Sequence, residues 1–288
     1  MKTPILFLIY NRPEYIKKVF ESIKQARPER LFISADGPKS DDEKDFKLCE
    51  EARDACVVDW PCEIKTLFRD KNLGCRLGIS GGINWFFEHV EEGIILEDDC
   101  LPNESFFNFC ENLLLKYRNE NKVMMISGSN PAGSVSVDND YFFSHFYHIW
   151  GWATWKRAWK KYDINLSDWP KLKKENFLKK IFPSNLENRL FAERMFDQVY
   201  GKDSSVWSIQ WTYTCLINNG FAILPKHNLI SNIGLIGLHE MNNDQLFLET
   251  KSIDFNNFSH PTQLNVNQKA EDFLFEKSGL SKIKTNSV

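Results

Sequence analysis

No hydrophobic run in this 288-residue chain approaches the roughly 20 residues that cross a bilayer. The opening, MKTPILFLIYNRP, carries an apolar stretch of only about six residues that ends on Asn11-Arg12, too short and wrongly flanked for a secretory signal. Charge of one sign is also missing: a net charge of −3 gives no global pull toward nucleic acid. The seven cysteines (Cys49, Cys56, Cys62, Cys75, Cys100, Cys110 and Cys215) follow no metal-ligand spacing. They read as reduced thiols, which places the protein in the cytoplasm. Internal repeats are absent. Aromatics are abundant, with 23 Phe, 9 Trp and 8 Tyr. That content suits a large core, and the length suffices for one large α/β domain or two small ones.

The first hundred residues alternate strand and helix. Ile5–Tyr10 is an apolar run, and Pro13 then opens a helix, Glu14–Gln25, with Ile16, Val19, Phe20 and Ile23 at helical spacing. Leu31–Ala35 reads as a second strand ending in the turn Asp36-Gly37-Pro38. A helix over Asp41–Cys56 and a strand over Ile64–Phe68 follow. Asn72–Gly82 reads as a glycine-rich connection and Ile83–Val90 as a helix. Such alternation predicts a parallel sheet with right-handed crossovers.

The fourth strand, in GIILEDDCLP, stops on Glu97, Asp98 and Asp99. Three consecutive carboxylates at a strand end repel one another unless a cation or a set of donors sits there. Ligands of open α/β sheets bind at that end, and hard divalent ions bridge carboxylates to phosphates. The triplet therefore points to a metal–diphosphate site; an acidic turn before the helix start at Pro102-Asn103-Glu104-Ser105 is the plainer alternative. Three strands end in ligand-suited residues: Asn11-Arg12, Asp36-Gly37 and the triplet. In a doubly wound sheet these ends share one edge.

The second half is less regular. Phe106–Tyr117 reads as a helix, Val123–Ser127 as a strand leading into the loop GSNPAG, Trp207–Asn218 as a helix and Phe221–Leu224 as a strand. Leu229–Gly237 reads as a loop, and the tail from Glu249 as polar and loosely packed. Residues 141–161 hold four Trp within ten positions (Trp150, Trp152, Trp155, Trp159), suited either to core or to stacking, and Gly151 suggests a close backbone approach. From Lys156 to Lys180 nine Lys/Arg face three acids. A solvated helix face is the simple reading; peripheral contact of 156–180 with anionic lipid at the inner membrane face is the other.

In order, strand-Asn-Arg-Pro, strand-Asp-Gly, NLGCRLG, ILEDD, an SGSN loop and GWATW make a chain that resembles a GT-A fold nucleotide-diphospho-sugar transferase. The resemblance covers roughly residues 3–240 and is nearest to bacterial sugar transferases related to eukaryotic N-acetylglucosaminyltransferase I. It implies a Rossmann-like, mostly parallel sheet flanked by helices. It divides the chain into a catalytic domain, 1–245, and a short C-terminal extension, 246–288. Residues 1–100 would bind the nucleotide and 101–245 the acceptor and donor sugar. The activity implied is metal-dependent transfer of a sugar, from a UDP-sugar or another nucleotide-diphosphate sugar, to a glycan or lipid-linked glycan during surface polysaccharide synthesis.

The resemblance also implies roles. Asp99 would ligate Mn²⁺ or Mg²⁺, Asp98 would face the ribose and join the metal ligands, and Glu97 would hold the donor sugar or support the metal shell. Asp36 would accept the nucleobase N–H, Arg12 would meet a phosphate, and Asn11 the neighbouring backbone. Asn72 and Arg76 belong to the loop that covers the nucleotide, and Gly151 and Trp152 join the donor-binding set. His239 would be a late metal ligand or diphosphate contact. An inverting enzyme needs a carboxylate to take the acceptor proton. The resembling enzymes carry an Asp directly after a Trp, whereas here Ser208 follows Trp207. Asp203 and Glu240 are the nearest carboxylates, so inversion with Asp203 as base is the expectation, with retention the alternative.

Two other classes share part of this pattern. A nucleotidyltransferase also sets acids beside phosphates, but such enzymes open on a glycine-rich basic loop, and FLIYNRPEY has no glycine. A carbohydrate-binding protein without catalysis explains the Trp content but not the acid triplet.

Overall fold

The computed structural model of the chain describes residues 1–235 and 249–277. Ile5–Ile9 forms β1, buried at every position. A strand covered on both faces needs an unbroken apolar run rather than alternation, and ILFLI is one. Pro13–Ala26 forms α1, with the proline in its first turn, and lays Ile16, Val19, Phe20 and Ile23 against the sheet. The alternation continues through β2 (Arg30–Ala35), α2 (Glu43–Asp54), β3 (Glu63–Phe68), α3 (Gly74–His89) and β4 (Glu92–Glu97).

The residues expected to form a glycine-rich connection are in fact the first half of α3. Glycines normally weaken a helix, but here they let it lie close to the sheet. A Cβ on Gly82 would fall 2.7 Å from Ser34 Oγ and 2.8 Å from Leu8 Cδ2. Close packing, rather than a break, accounts for that glycine.

After β4 come β5 (Cys100–Pro102), α4 (Glu104–Lys116), β6 (Val123–Ser127), β7 (Tyr141–Ser144) and β8 (Trp152–Trp155). Three short helices follow, α5 (Lys156–Trp159), α6 (Trp169–Lys174) and α7 (Leu178–Ile181). Then come α8 (Leu186–Val199), α9 (Ser208–Ile217), β9 (Phe221–Pro225), β10 (Ile230–Asn232) and α10 (Gln268–Lys277).

The main sheet has eight strands in the order β3-β2-β1-β4-β8-β6-β9-β7. β3, β2, β1 and β4 run parallel, as do β6 and β9. β8 is inserted antiparallel between β4 and β6, and β7 is antiparallel on β9. The class is α/β and Rossmann-like, a mostly parallel sheet with helices on its faces. Winding proceeds outward from β1 to β3, then returns to β4 on the other side of β1. That reversal opens a crevice at the carboxyl ends of β1 and β4. A separate antiparallel pair, β5 with β10, sits just beyond it.

The core has three parts. α1 and α4 cover one face of the sheet with residues such as Val19 and Phe109; α3 and the tryptophans Trp152, Trp159, Trp207 and Trp211 cover the other. A third cluster joins Phe146, Trp169, Phe191 and Phe196 around α8. The described tail is tied down rather than loose. Ala270, Leu274 and Phe275 of α10 are buried, and Asn267 N–H donates to the Phe143 carbonyl. A short apolar stripe inside a polar segment was enough to dock it. Lys160, Lys161, Lys171, Lys174, Lys179 and Lys180 are exposed, while Lys156 pairs with Glu91 and Lys173 with Glu193 and Asp197. Among the described residues no helix is long and apolar enough to cross a membrane.

Candidate active site

The crevice at the switch point is where the sequence-expected residues meet. Arg12 follows β1, and the acid triplet follows the neighbouring β4. Arg12 Nη2 bonds Asp98, and Nη1 donates to Asp99 Oδ2 at 3.1 Å. Burial works against the Arg12 charge, but the two carboxylates outweigh it and raise its pKa. One guanidinium does not balance three acids. Burial, then Asp99 and Asp98, push the Glu97 carboxyl up to about 8. Asp98 rises to about 6, where burial dominates, Arg12 opposes it and Asp99 adds. The turn that begins at Ile233 packs against this group: Ile233 N–H donates to the Asp99 carbonyl at 2.8 Å. A Cβ on Gly234 would lie 2.6 Å from Asp99 Oδ2.

A cavity of about 320 Å³ adjoins these groups, with Arg12, Asp36, Asn72, Gly74, Glu97 and Asp98 in its lining. Asp36 ends β2 and serves the loop as well as the cavity. Its carboxylate accepts N–H groups from Gly37 and Leu73 at 3.0 Å and from Gly74 at 3.1 Å. It thus caps the start of α3, a role the Asp-Gly turn signal alone did not disclose. Asn72 closes the same loop, donating to the Gly37 carbonyl at 2.9 Å. Arg76, half-buried on α3, lines neither of the two cavities described here and lies 3.9 Å from Asp203.

Asn11 turns from the cavity to Asp45, donating at 2.6 Å. Tyr10 Oη and Lys39 N–H also donate to Asp45, at 2.6 and 2.7 Å. Asp45 therefore locks the loop after β1 to the loop after β2. Its only trace in the sequence is an acid in the first turn of a helix.

A second cavity, of about 390 Å³, is lined by Glu97, His145, His148, Trp150, Trp207 and Ser208, among others. Glu97 is common to both cavities and joins them. Trp150 stands at the second with its ring 4.3 Å from that of His148. Trp152 does not: it is 1% exposed and stacks on Trp207 inside the core. Trp155 and Trp159 are buried as well. Trp150 precedes β8, and the left-handed turn at Gly151 sends its side chain away from that of Trp152, the first residue of the strand. Gly151, with φ +56°, is pressed against Ile230, whose Cδ1 would lie 2.5 Å from a Cβ. Its close approach is to the protein itself. Asp203 is fully exposed and lines neither cavity. His239 and Glu240 lie outside the described residues.

Among the described residues no three His, Cys, Asp or Glu side chains form a closed metal cage. Magnesium and manganese do not require one, since one or two carboxylates plus phosphate and water oxygens suffice. The donor set here fits that pattern: hard oxygen ligands on adjacent residues, in excess over Arg12, the cation paired with them.

No family model and no curated protein matches the chain. Among solved structures it is similar to an apo UDP-glucose pyrophosphorylase, at 9% identity and TM-score 0.42, over 81% of this chain and 94% of that one. It is similar to mannosyltransferase PcManGT from Pyrobaculum calidifontis, in complex with GDP-Man and Mn²⁺, at 11% identity and TM-score 0.34, over 54% and 45%. It is also similar to HddC from Yersinia pseudotuberculosis, at 11% identity and TM-score 0.33, over 54% and 77%. Likenesses at this level assign no activity.

Proposed function

We propose that this chain is a divalent-metal-dependent glycosyltransferase of the GT-A type. It would move a sugar from a nucleotide-diphosphate sugar, a UDP-sugar first among them, to a glycan or lipid-linked glycan at the inner membrane face. The observation that carries this reading is the joint arrangement of the two cavities. The first, at the switch point, offers acids, Arg12 and Asp36 to a nucleotide with its phosphates. The second, reached across Glu97, offers space and an aromatic face to an acceptor. A nucleotidyltransferase would have to hold the phosphate of a sugar phosphate there, and among the described residues the lining of the second cavity has no Lys or Arg for it.

The proposed roles are those that the resemblance of the sequence implies. Asp99 and Asp98 would hold Mn²⁺ or Mg²⁺, with His239 a further ligand. When bound, the ion would neutralise charge on the departing diphosphate. Arg12 adds a fixed positive group aimed at the same charge. Asp36 would accept from the nucleobase, Asn72 and Arg76 would close over the nucleotide, and Glu97 would hold the donor sugar. Contact of the exposed lysines of 156–180 with anionic lipid would bring the enzyme to its acceptor.

The test is a thermal-shift panel of UDP-, GDP-, CMP- and dTDP-sugars with and without Mn²⁺. A ligand at about 100 times its Kd should add roughly 2.7 kcal/mol of stability. Metal-dependent stabilisation by one nucleoside diphosphate sugar is expected. Stabilisation by free sugar alone would turn the reading toward a carbohydrate-binding protein.

A further inference from the structure

The second cavity has at its edge a paired imidazole and carboxylate from distant parts of the chain. His145 follows β7 and lines the cavity. Its Nδ1 lies 3.4 Å from Oε1 of Glu271, on α10. Glu271 is wholly buried, and a buried carboxylate is costly unless it is satisfied. Its Oε2 accepts from the His145 backbone N–H at 2.5 Å and from Ser144 Oγ at 3.1 Å. The carboxylate is thus fixed in place with both oxygens beside the imidazole, Oε2 lying 3.3 Å from Nδ1. Phe182 holds the ring from the side, with centroids 5.3 Å apart. Among the described residues no hydrogen bond is made to Nε2.

We propose that His145 is the group that takes the proton from the acceptor hydroxyl, and that Glu271 is its positioning residue. The inference rests on the transferase reading above. A carboxylate at Nδ1 selects the tautomer with the proton on Nδ1 and leaves the Nε2 lone pair free as the base. The Nδ1 contact is long, as such contacts commonly are before substrate binds. In the step itself, the acceptor oxygen forms a bond to the anomeric carbon while its proton passes to Nε2. The bond from that carbon to the diphosphate breaks, and its electron pair leaves on the phosphate oxygen facing Arg12. The resulting imidazolium is balanced by Glu271 and later returns its proton to water. This supplies the base that Ser208, standing where a carboxylate was expected, cannot supply unaided. Glu97, Tyr147 and His148 are the other titratable groups lining the same cavity among the described residues.

The full-length protein is tested as wild type, His145→Gln and Glu271→Gln. Donor affinity is measured by calorimetry with the panel sugars and Mn²⁺, and turnover as release of nucleoside diphosphate with water as acceptor. Both variants should bind donor as the wild type does and turn over about 10²–10⁴-fold more slowly. Glu271→Gln keeps the bonds to Ser144 and the His145 backbone but offers an amide N–H to Nδ1, so it should invert the tautomer. Long-range ¹⁵N–¹H NMR at pH 8 reads this directly, with Nδ1–H expected in the wild type. That spectrum decides the matter if Glu271→Gln does not fold or if water is a poor acceptor: an Nε2–H wild type overturns the proposal. So does a Glu271→Gln protein with a lower Tm but an unchanged rate, since the carboxylate is then only a tether for α10. Loss of transfer in Asp203→Asn with none in His145→Gln overturns it as well. If no nucleoside diphosphate sugar binds the wild type, the reading of the first cavity has failed, and this inference falls with it.

Discussion

Both oxygens of Asp36 already accept backbone N–H groups from the turn before α3, yet the residue lines the first cavity. Asp36→Ala should therefore do two things. Losing a charge-assisted bond to the nucleobase, about 1.5–3 kcal/mol, should raise the donor Kd by tens of fold with a smaller effect on turnover. It should also lower stability, because the Leu73 N–H loses its acceptor and the Gly74 N–H keeps only Asn72 Oδ1. Unchanged donor affinity beside a lowered Tm would make Asp36 a loop organiser only. Asp99 differs. Asp99→Asn removes a proposed metal ligand and should abolish turnover. Its effect on Tm should be small, since relief of repulsion from Glu97 and Asp98 offsets the lost pair with Arg12. Full activity in excess EDTA would remove the metal role from both Asp99 and Asp98.

In α3, glycine serves close packing against the local preference of the sequence. Local propensity makes GCRLGISGG a poor helix, and alanine at an interior position should add roughly 1 kcal/mol of stability. The helix touches β1 and β2 through Gly82, however, and a methyl there has no room. We expect Gly82→Ala to destabilise by about 1–3 kcal/mol in urea unfolding, overpacking outweighing propensity. It should also weaken donor binding, because Leu8, which the methyl would strike, lines the first cavity. A net gain in stability would show that α3 can shift outward at little cost. β8 makes a related point: its residues are buried throughout, so no period-2 pattern marked WATW as a strand.

Across the whole molecule, a proton-linked term in stability comes from the second cavity. Burial pushes the His148 imidazole down to about 4, and its Nδ1 is buried without a hydrogen-bond partner among the described residues. The folded state then binds fewer protons than the unfolded chain between about pH 4 and the ordinary histidine value near 6.5. Stability must rise with pH across that window and be lost as pH falls through it, with an upper bound of about 3 kcal/mol. Other groups titrate in the same range, so the difference between wild type and His148→Gln isolates the term. In denaturant unfolding at pH 5 and pH 7.5 the variant should lose less stability on acidification. An equal loss in both proteins would show that the imidazole is hydrated.

The sequence by itself determined the strand–helix alternation, the parallel half of the sheet and the convergence of Arg12, Asp36 and the acid triplet. Each of these follows from local rules: apolar runs form buried strands, and strands wound one after another put their carboxyl ends on one edge. Only the tertiary structure decided which neighbours those residues have. Trp150 and Trp152 are two positions apart and of one type, yet one faces a cavity and the other lies in the core. Asp45 and the pair His145–Glu271 gave no local signal, the latter being 126 residues apart in the chain. Contacts at that separation arise when a helix finds the face that buries its apolar stripe, here Ala270, Leu274 and Phe275. Which polar group it delivers there is set by packing, and no pattern along the chain encodes it.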